Sequence, residues 1–131
     1  MENIVENNKL IAEFMGAKPS DRYADGTTFV YTKESLPTPH SSYHWDLGSM
    51  EYDIRWDWLM PVVEKIDNIG FDVCISRISC KIHPILEPEK TITSLVCGDT
   101  SKKLELVYGC VIEFIKWYNR KRLTSHIGNN K

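Results

Sequence analysis

Apolar residues recur at separations near three and four in three stretches of this 131-residue chain, and each stretch predicts a helix. The first helix covers about residues 6–15, carried by Ile4, Val5, Leu10, Ile11, Phe14 and Met15, with Gly16 as its stop. Its polar run Glu6-Asn7-Asn8-Lys9 is expected to face solvent or to mark a late start. The second covers about 57–68, with Trp56, Leu59, Met60, Val63 and Ile66 on one face, Asp57 as the expected N-cap and Gly70 as the stop. Pro61 then stands at the fourth helical position, where its missing N–H loosens the first turn. The third begins after Gly98-Asp99-Thr100-Ser101, with Ser101 or Thr100 as cap. Its stripe is Leu104, Val107, Val111, Phe114, Ile115 and Tyr118, widened by Leu106, Cys110 and Trp117, which predicts burial on more than one side. Gly109 costs about 1 kcal/mol against alanine in a helix interior, so another element is expected to cross closely there. The polar tail, about 124–131, is expected to be frayed.

Strand character appears between the helices. Thr27 to Thr32 is rich in β-branched and aromatic residues. Phe71 to Ile85 alternates, but its parity changes across Ser76-Arg77, which fits two strands joined by a tight turn or one bulged strand. Thr91 to Cys97 is a further strand. Residues 33–50 hold Pro37, Pro39 and several serines and read as a long loop. Its Tyr43 and Trp45 predict that it docks on the body. The order α–β–α–β–β–β–α predicts one α+β domain over residues 1–131: a mainly antiparallel sheet of about four strands packed with three helices.

Composition changes this picture little, and charge changes it at one end. A hydrophobic content of 42% and a charged content of 26% are ordinary for a globular protein. The net charge of -2 argues against a generally basic nucleic-acid binder. Residues 116–131 nevertheless carry Lys116, Arg120, Lys121, Arg122 and Lys131 with no acid, so a +5 end balances a body at -7 to give that -2. The first residues have neither the basic start nor the apolar run of an export signal, and no stretch approaches a membrane span, so a cytoplasmic protein is expected. Cys74, Cys80, Cys97 and Cys110 lie in apolar strand or helix patterns and read as reduced, buried thiols.

No catalytic signature is present: there is no phosphate-binding glycine loop, nucleophile elbow or His-Glu-x-x-His. His40, His44 and Asp46 could converge on a metal only if their segment were helical, which Pro37 and Pro39 oppose. Cys74, Cys80 and His83 lack the tight spacing of a zinc knuckle, and Cys80 and His83 fall on opposite faces of a strand. No metal or cofactor is therefore expected. Asp46, Glu51, Asp53 and Asp57 could hide a carboxylate pair or form a solvated rim. Tyr43, Trp45, Tyr52, Trp56 and Trp58 exceed what one helix face needs. An exposed Trp58 beside Trp45 and Tyr52 would make a stacking platform; otherwise the loop packs over Trp58 as a small second core. Trp117 to Arg122 mixes aromatic and basic residues as single-strand nucleic-acid sites do, although cations also complement a helix C-terminus.

Three blocks carry a resemblance: Leu10-Ile11-Ala12-Glu13-Phe14-Met15-Gly16, the run from Trp56 to Ile66, and the run from Val107 to Asn119. Together they resemble a family of small uncharacterised proteins of Bacteroidetes phages and prophages. That resemblance implies a viral or prophage setting and no established activity. Family members often place a Tyr-His pair and a serine before the tryptophans, where this chain has Tyr52-Asp53 and Arg55.

The expected function is thus a non-catalytic phage-type binding protein acting on a macromolecule or small metabolite, through Tyr43, Trp45, Asp46, Glu51, Tyr52, Asp53 and Trp58. The alternatives are a small enzyme with a carboxylate site around Asp46 to Asp57, and a single-stranded nucleic-acid accessory protein using the basic C-terminus. The expected partner is a protein or small molecule, homo-oligomer formation stays open, and neither a membrane nor nucleic acid is favoured.

Overall fold

Three amphipathic helices cannot bury their apolar stripes alone, and the chain supplies two small antiparallel sheets to cover them. The computed structural model describes residues 3–22, 26–36 and 43–128, with side chains as far as Arg122. Its elements are α1 (Ile4–Phe14), β1 (Lys18–Pro19), β2 (Thr28–Val30), β3 (His44–Asp46), α2 (Trp56–Asn68), β4 (Phe71–Ile75), β5 (Ser79–Pro84), β6 (Thr93–Val96) and α3 (Lys103–Gly128), with 3₁₀ turns at Leu47–Ser49 and Thr100–Lys102. The α+β class, the three helices and the antiparallel pairing agree with expectation. The strands form two sheets, however, in the orders β1-β2-β3 and β4-β5-β6, where one sheet of about four was expected. The difference lies in β1 and β3, which are two and three residues long and embedded in loop-like sequence. Pro19 is tolerated because β1 is an edge strand.

α3 is the hub. It packs against α1, α2, β5 and β6, and Val107, Cys110, Val111, Ile112, Phe114 and Ile115 are essentially inaccessible along it. Gly109 allows the close approach expected of it: a Cβ there would stand 3.2 Å from the Leu95 side chain of β6. The backbone stays helical to Gly128, beyond the point where fraying was expected, and residues 129–131 lie outside the described residues. The cap also differs, since Asp99, not Thr100 or Ser101, accepts from the Ser101 N–H at 2.9 Å. At the lower end of the core, Phe14, Phe71, Phe114, Trp117 and Tyr118 meet edge to face or stacked, with centroids 4.9–6.4 Å apart.

α2 shows the largest departure from its sequence pattern. Its buried residues are Trp58, Leu59, Val62, Val63 and Ile66, while Trp56 is 39% exposed and Met60 lies outside with it. Burial of Trp56 was therefore the wrong expectation. The stripe is rotated because Trp58 has been recruited inward, as described below. Arg55, not Asp57, holds the N-cap position and makes no side-chain cap. Asp57 instead accepts two bonds from the Arg55 guanidinium, at 3.0 and 2.8 Å. Pro61 lies deeper in α2 than its expected fourth position, and the i−4 carbonyl left without its helical donor is that of Asp57, on the exposed first turn. Gly70, with φ +106°, turns α2 into β4.

The Phe71–Ile85 stretch is the two-strand alternative, closed where Ser76 N–H donates to the Ser79 carbonyl at 2.8 Å. All four cysteines are free thiols: Cys80 and Cys110 are buried, whereas Cys74 and Cys97 are only partly so. Phe114 sits where both the aromatic cluster and the α3 stripe converge. Phe114→Ala is expected to cost about 3–5 kcal/mol, read as a lowered urea midpoint with an unchanged transition slope.

Candidate functional site

The aromatic loop docks on the body, but it does so by swallowing its own aromatics. Trp58 is 3% exposed and stands edge-on between Tyr52 and Trp45, with centroids at 5.0 and 5.1 Å. Tyr52 is wholly buried, and its hydroxyl pairs with that of Tyr31 at 2.9 Å, while Tyr31 also reaches the Met50 sulfur at 3.4 Å. The expected stacking platform of Trp58 and Tyr52 is thus overturned: both are interior residues of a satellite core, as the packing alternative had it. Trp45 is half-buried at its edge. Tyr43 remains accessible, with its carbonyl accepting from Tyr31 N–H at 2.8 Å. Burial outweighs the Tyr52 hydrogen bond and pushes the Tyr31 hydroxyl from 10.0 up to about 12; burial, followed by repulsion from Tyr31, drives Tyr52 upward too.

The acids of this region are already engaged. Asp46 accepts from the Gly48 N–H at 2.9 Å and caps the 3₁₀ turn. Glu51 pairs with Arg55 at 3.3 Å, and Asp57 clamps the same guanidinium. Asp53 accepts from the Asn8 side chain at 3.2 Å. Each carboxylate thus has a partner within the chain. The aromatic residues of the basic end, Trp117 and Tyr118, are partly buried and pack against the core cluster, with Arg122 lying over the Tyr118 ring at 5.6 Å.

Asn8 is the residue whose placement was least expected. It is 2% exposed, and Asn7 is buried beside it, so the middle of the polar run of α1 turns inward while Glu6 faces solvent. The Asn8 amide donates to the Met50 carbonyl at 3.3 Å and to Asp53, and its oxygen accepts from the Tyr108 hydroxyl at 2.8 Å. One side chain thereby ties α1 to the 50–53 loop and to α3.

This node lies between two open concavities. One, of about 550 Å³, is lined by Ile4, Asp53, Ile54, Leu95, Glu105, Tyr108, Gly109, Ile112 and Glu113. The other, of about 400 Å³, is bordered by Val5, Asn8, Trp45, Met50 and Glu51 among others. Ile4, Asp53 and Ile54 border both, so the two concavities adjoin across these side chains and form one concave region, the groove. Among the described residues its walls carry Glu51, Asp53, Glu105 and Glu113 and no lysine or arginine. Ile4, Val5 and Ile54 leave apolar surface along it, Ile54 being 62% exposed. Of the expected site residues, the structure brings Trp45, Glu51 and Asp53 together here. Tyr43, Asp46, Tyr52 and Trp58 do not line it.

Sequence reasoning missed the α3 wall. Its signal was present: Glu105, Gly109 and Glu113 recur every four residues, an acidic stripe beside a glycine within the otherwise apolar run 104–115. For metal ligation, His40 lies outside the described residues, and among these the one cluster is Asp72, Cys74 and His83. Cys80 and His83 lie on opposite faces of the strand, as their odd spacing predicts: Cys80 faces the core, where its carbonyl accepts from the Cys110 thiol at 3.3 Å. No described helix is long and apolar enough to cross a membrane.

No protein-family model, curated protein or solved structure matches the chain.

Two outcomes follow from this geometry. Asn8→Ala removes the three hydrogen bonds that tie α1 to the 50–53 loop and to α3 and is expected to cost about 2–3 kcal/mol, measured by urea unfolding. The stability owed to neutral Tyr31 is complete below its ordinary pKa of 10.0 and is lost as pH rises toward about 12. Alkaline titration of the thermal midpoint is therefore expected to fall above pH 10.0, and Tyr31→Phe to make that fall shallower.

Proposed function

We propose that this chain is a non-catalytic binding protein whose groove takes a basic, amphipathic segment of a partner protein. The observation that carries the reading is charge: Asp53, Glu105 and Glu113, with Glu51 in its pair with Arg55, line the groove among aliphatic, aromatic and small polar residues, and no lysine or arginine lines it among the described residues. Apolar side chains of the partner would enter beside Ile4, Ile54 and Leu95, while its lysines and arginines meet Glu105, Glu113 and Asp53. Opposite charge speeds encounter and fixes register, and the apolar floor supplies the affinity. Two adjoining open concavities suit a chain segment better than a compact metabolite. That Asp46, Glu51, Asp53 and Asp57 each have a partner within the chain supports binding over acid–base catalysis. The phage or prophage setting implied by the resemblance would place this binding in the cytoplasm of a bacterial host.

The test uses a synthetic lysine–leucine amphipathic peptide and its glutamate counterpart. The basic peptide is expected to bind, with Trp45 emission changing as the groove fills, and affinity is expected to weaken as salt screens the carboxylates. The double variant Glu105→Gln, Glu113→Gln is expected to lower affinity about tenfold, equivalent to about 1.4 kcal/mol. Equal binding of the acidic peptide, or an unchanged affinity in the double variant, refutes the reading.

A further inference from the structure

A second site lies on the β4–β5 hairpin, on the face of the sheet turned away from Cys80. Side chains alternate along a strand, so Asp72 and Cys74 share one face. The antiparallel register sets Asp72 directly opposite His83, which brings His83 to that face as well. Three lone-pair-bearing atoms then close a triangle: Asp72 Oδ2 to His83 Nε2 is 3.5 Å, Cys74 Sγ to His83 Nε2 is 3.6 Å, and Cys74 Sγ to Asp72 Oδ2 is 3.6 Å.

We propose that Asp72, Cys74 and His83 form a zinc-class divalent metal site that uses one carboxylate, one thiolate and one imidazole. Two independent features of the geometry support it. Zinc bonds of about 2.0–2.3 Å imply a tetrahedron whose edges are about 3.3–3.8 Å, since an edge is roughly 1.6 times the bond. The three observed separations all fall in that range. The second feature is the far side of the imidazole. His83 Nδ1 stands 2.8 Å from the Pro84 carbonyl, which can only accept, so the proton sits on Nδ1 and the Nε2 lone pair is directed at the triangle. A ring N–H held by a backbone carbonyl is the usual support of a metal-ligating histidine.

The same atoms do not make a nucleophile. In a Cys–His–Asp relay the carboxylate holds the ring nitrogen remote from the thiol, whereas here Asp72 and Cys74 both face Nε2. Burial and the Asp72 charge push the Cys74 thiol up, opposite to activation. His83 is nearly buried while the Asp72 side chain is 53% accessible, so the fourth coordination position opens toward solvent, as in zinc sites that keep a water or take an exogenous ligand.

The experiment is a Co²⁺ titration of the full chain, kept reduced with a phosphine. A single saturable site with thiolate-to-cobalt charge-transfer absorption is expected, displaced by Zn²⁺. Cys74→Ser should abolish the charge-transfer band. Asp72→Asn and His83→Ala should weaken binding at least as much as the 10–100-fold loss seen on removing outer-shell partners, with circular dichroism showing the fold retained. Cys97→Ser should leave the titration unchanged. Absence of a saturable band in the unsubstituted protein overturns the proposal whatever the variants do, and so does a band that survives in Cys74→Ser.

Discussion

The amide of Asn8 is the contact on which the arrangement of this molecule turns. A buried primary amide must place two donors and a carbonyl oxygen among partners of the right kind, or it costs more than an apolar residue in the same place. Here the partners come from the 50–53 loop and from Tyr108, 100 positions away in the chain. Three elements that share no sheet are thereby set at fixed distances, and the groove is the space left between them. A leucine at position 8 could pack against α3 but could not orient Tyr108 and Asp53.

The interior and the surface compete for the same aromatic residues, and the interior prevails. An edge-to-face ring contact adds about 0.5–1.5 kcal/mol beyond the area it buries, and Trp58 makes two, with Tyr52 and with Trp45. That gain rotates the buried stripe of α2 and turns Trp56 outward. The accessible surface of the groove consequently falls to aliphatic residues and carboxylates: Ile4 and Ile54, with two glutamates on α3. Binding in such a groove depends on charge pattern and shape more than on ring stacking.

The β4–β5 hairpin divides its labour by parity. One face sends Cys80 and Ile82 into the core against α3, and the other gathers Asp72, Cys74 and His83. Because the pleat has a period of two, a slip of one residue would exchange these sets and expose the apolar one. The register that protects the core therefore also assembles the triangle of ligating atoms.

The helices were legible in the sequence because their apolar residues repeat over several turns, which no local alternative satisfies as well. Gly16 and Gly70 as stops and Gly109 as a crossing point were legible too, since each answers a backbone or steric need that only glycine meets without cost. Two-residue β1 and three-residue β3 were not, because so few residues carry no periodicity. Trp45, Glu51 and Asp53 were placed at a binding surface on density alone. The inward turn of Trp58 and Tyr52 and the burial of Asn8 depended on partners far along the chain. The meeting of Asp72 with His83 was decided the same way, by cross-strand register. Local pattern settles which segments are helix or strand; which polar side chains face one another is settled only when distant segments pack.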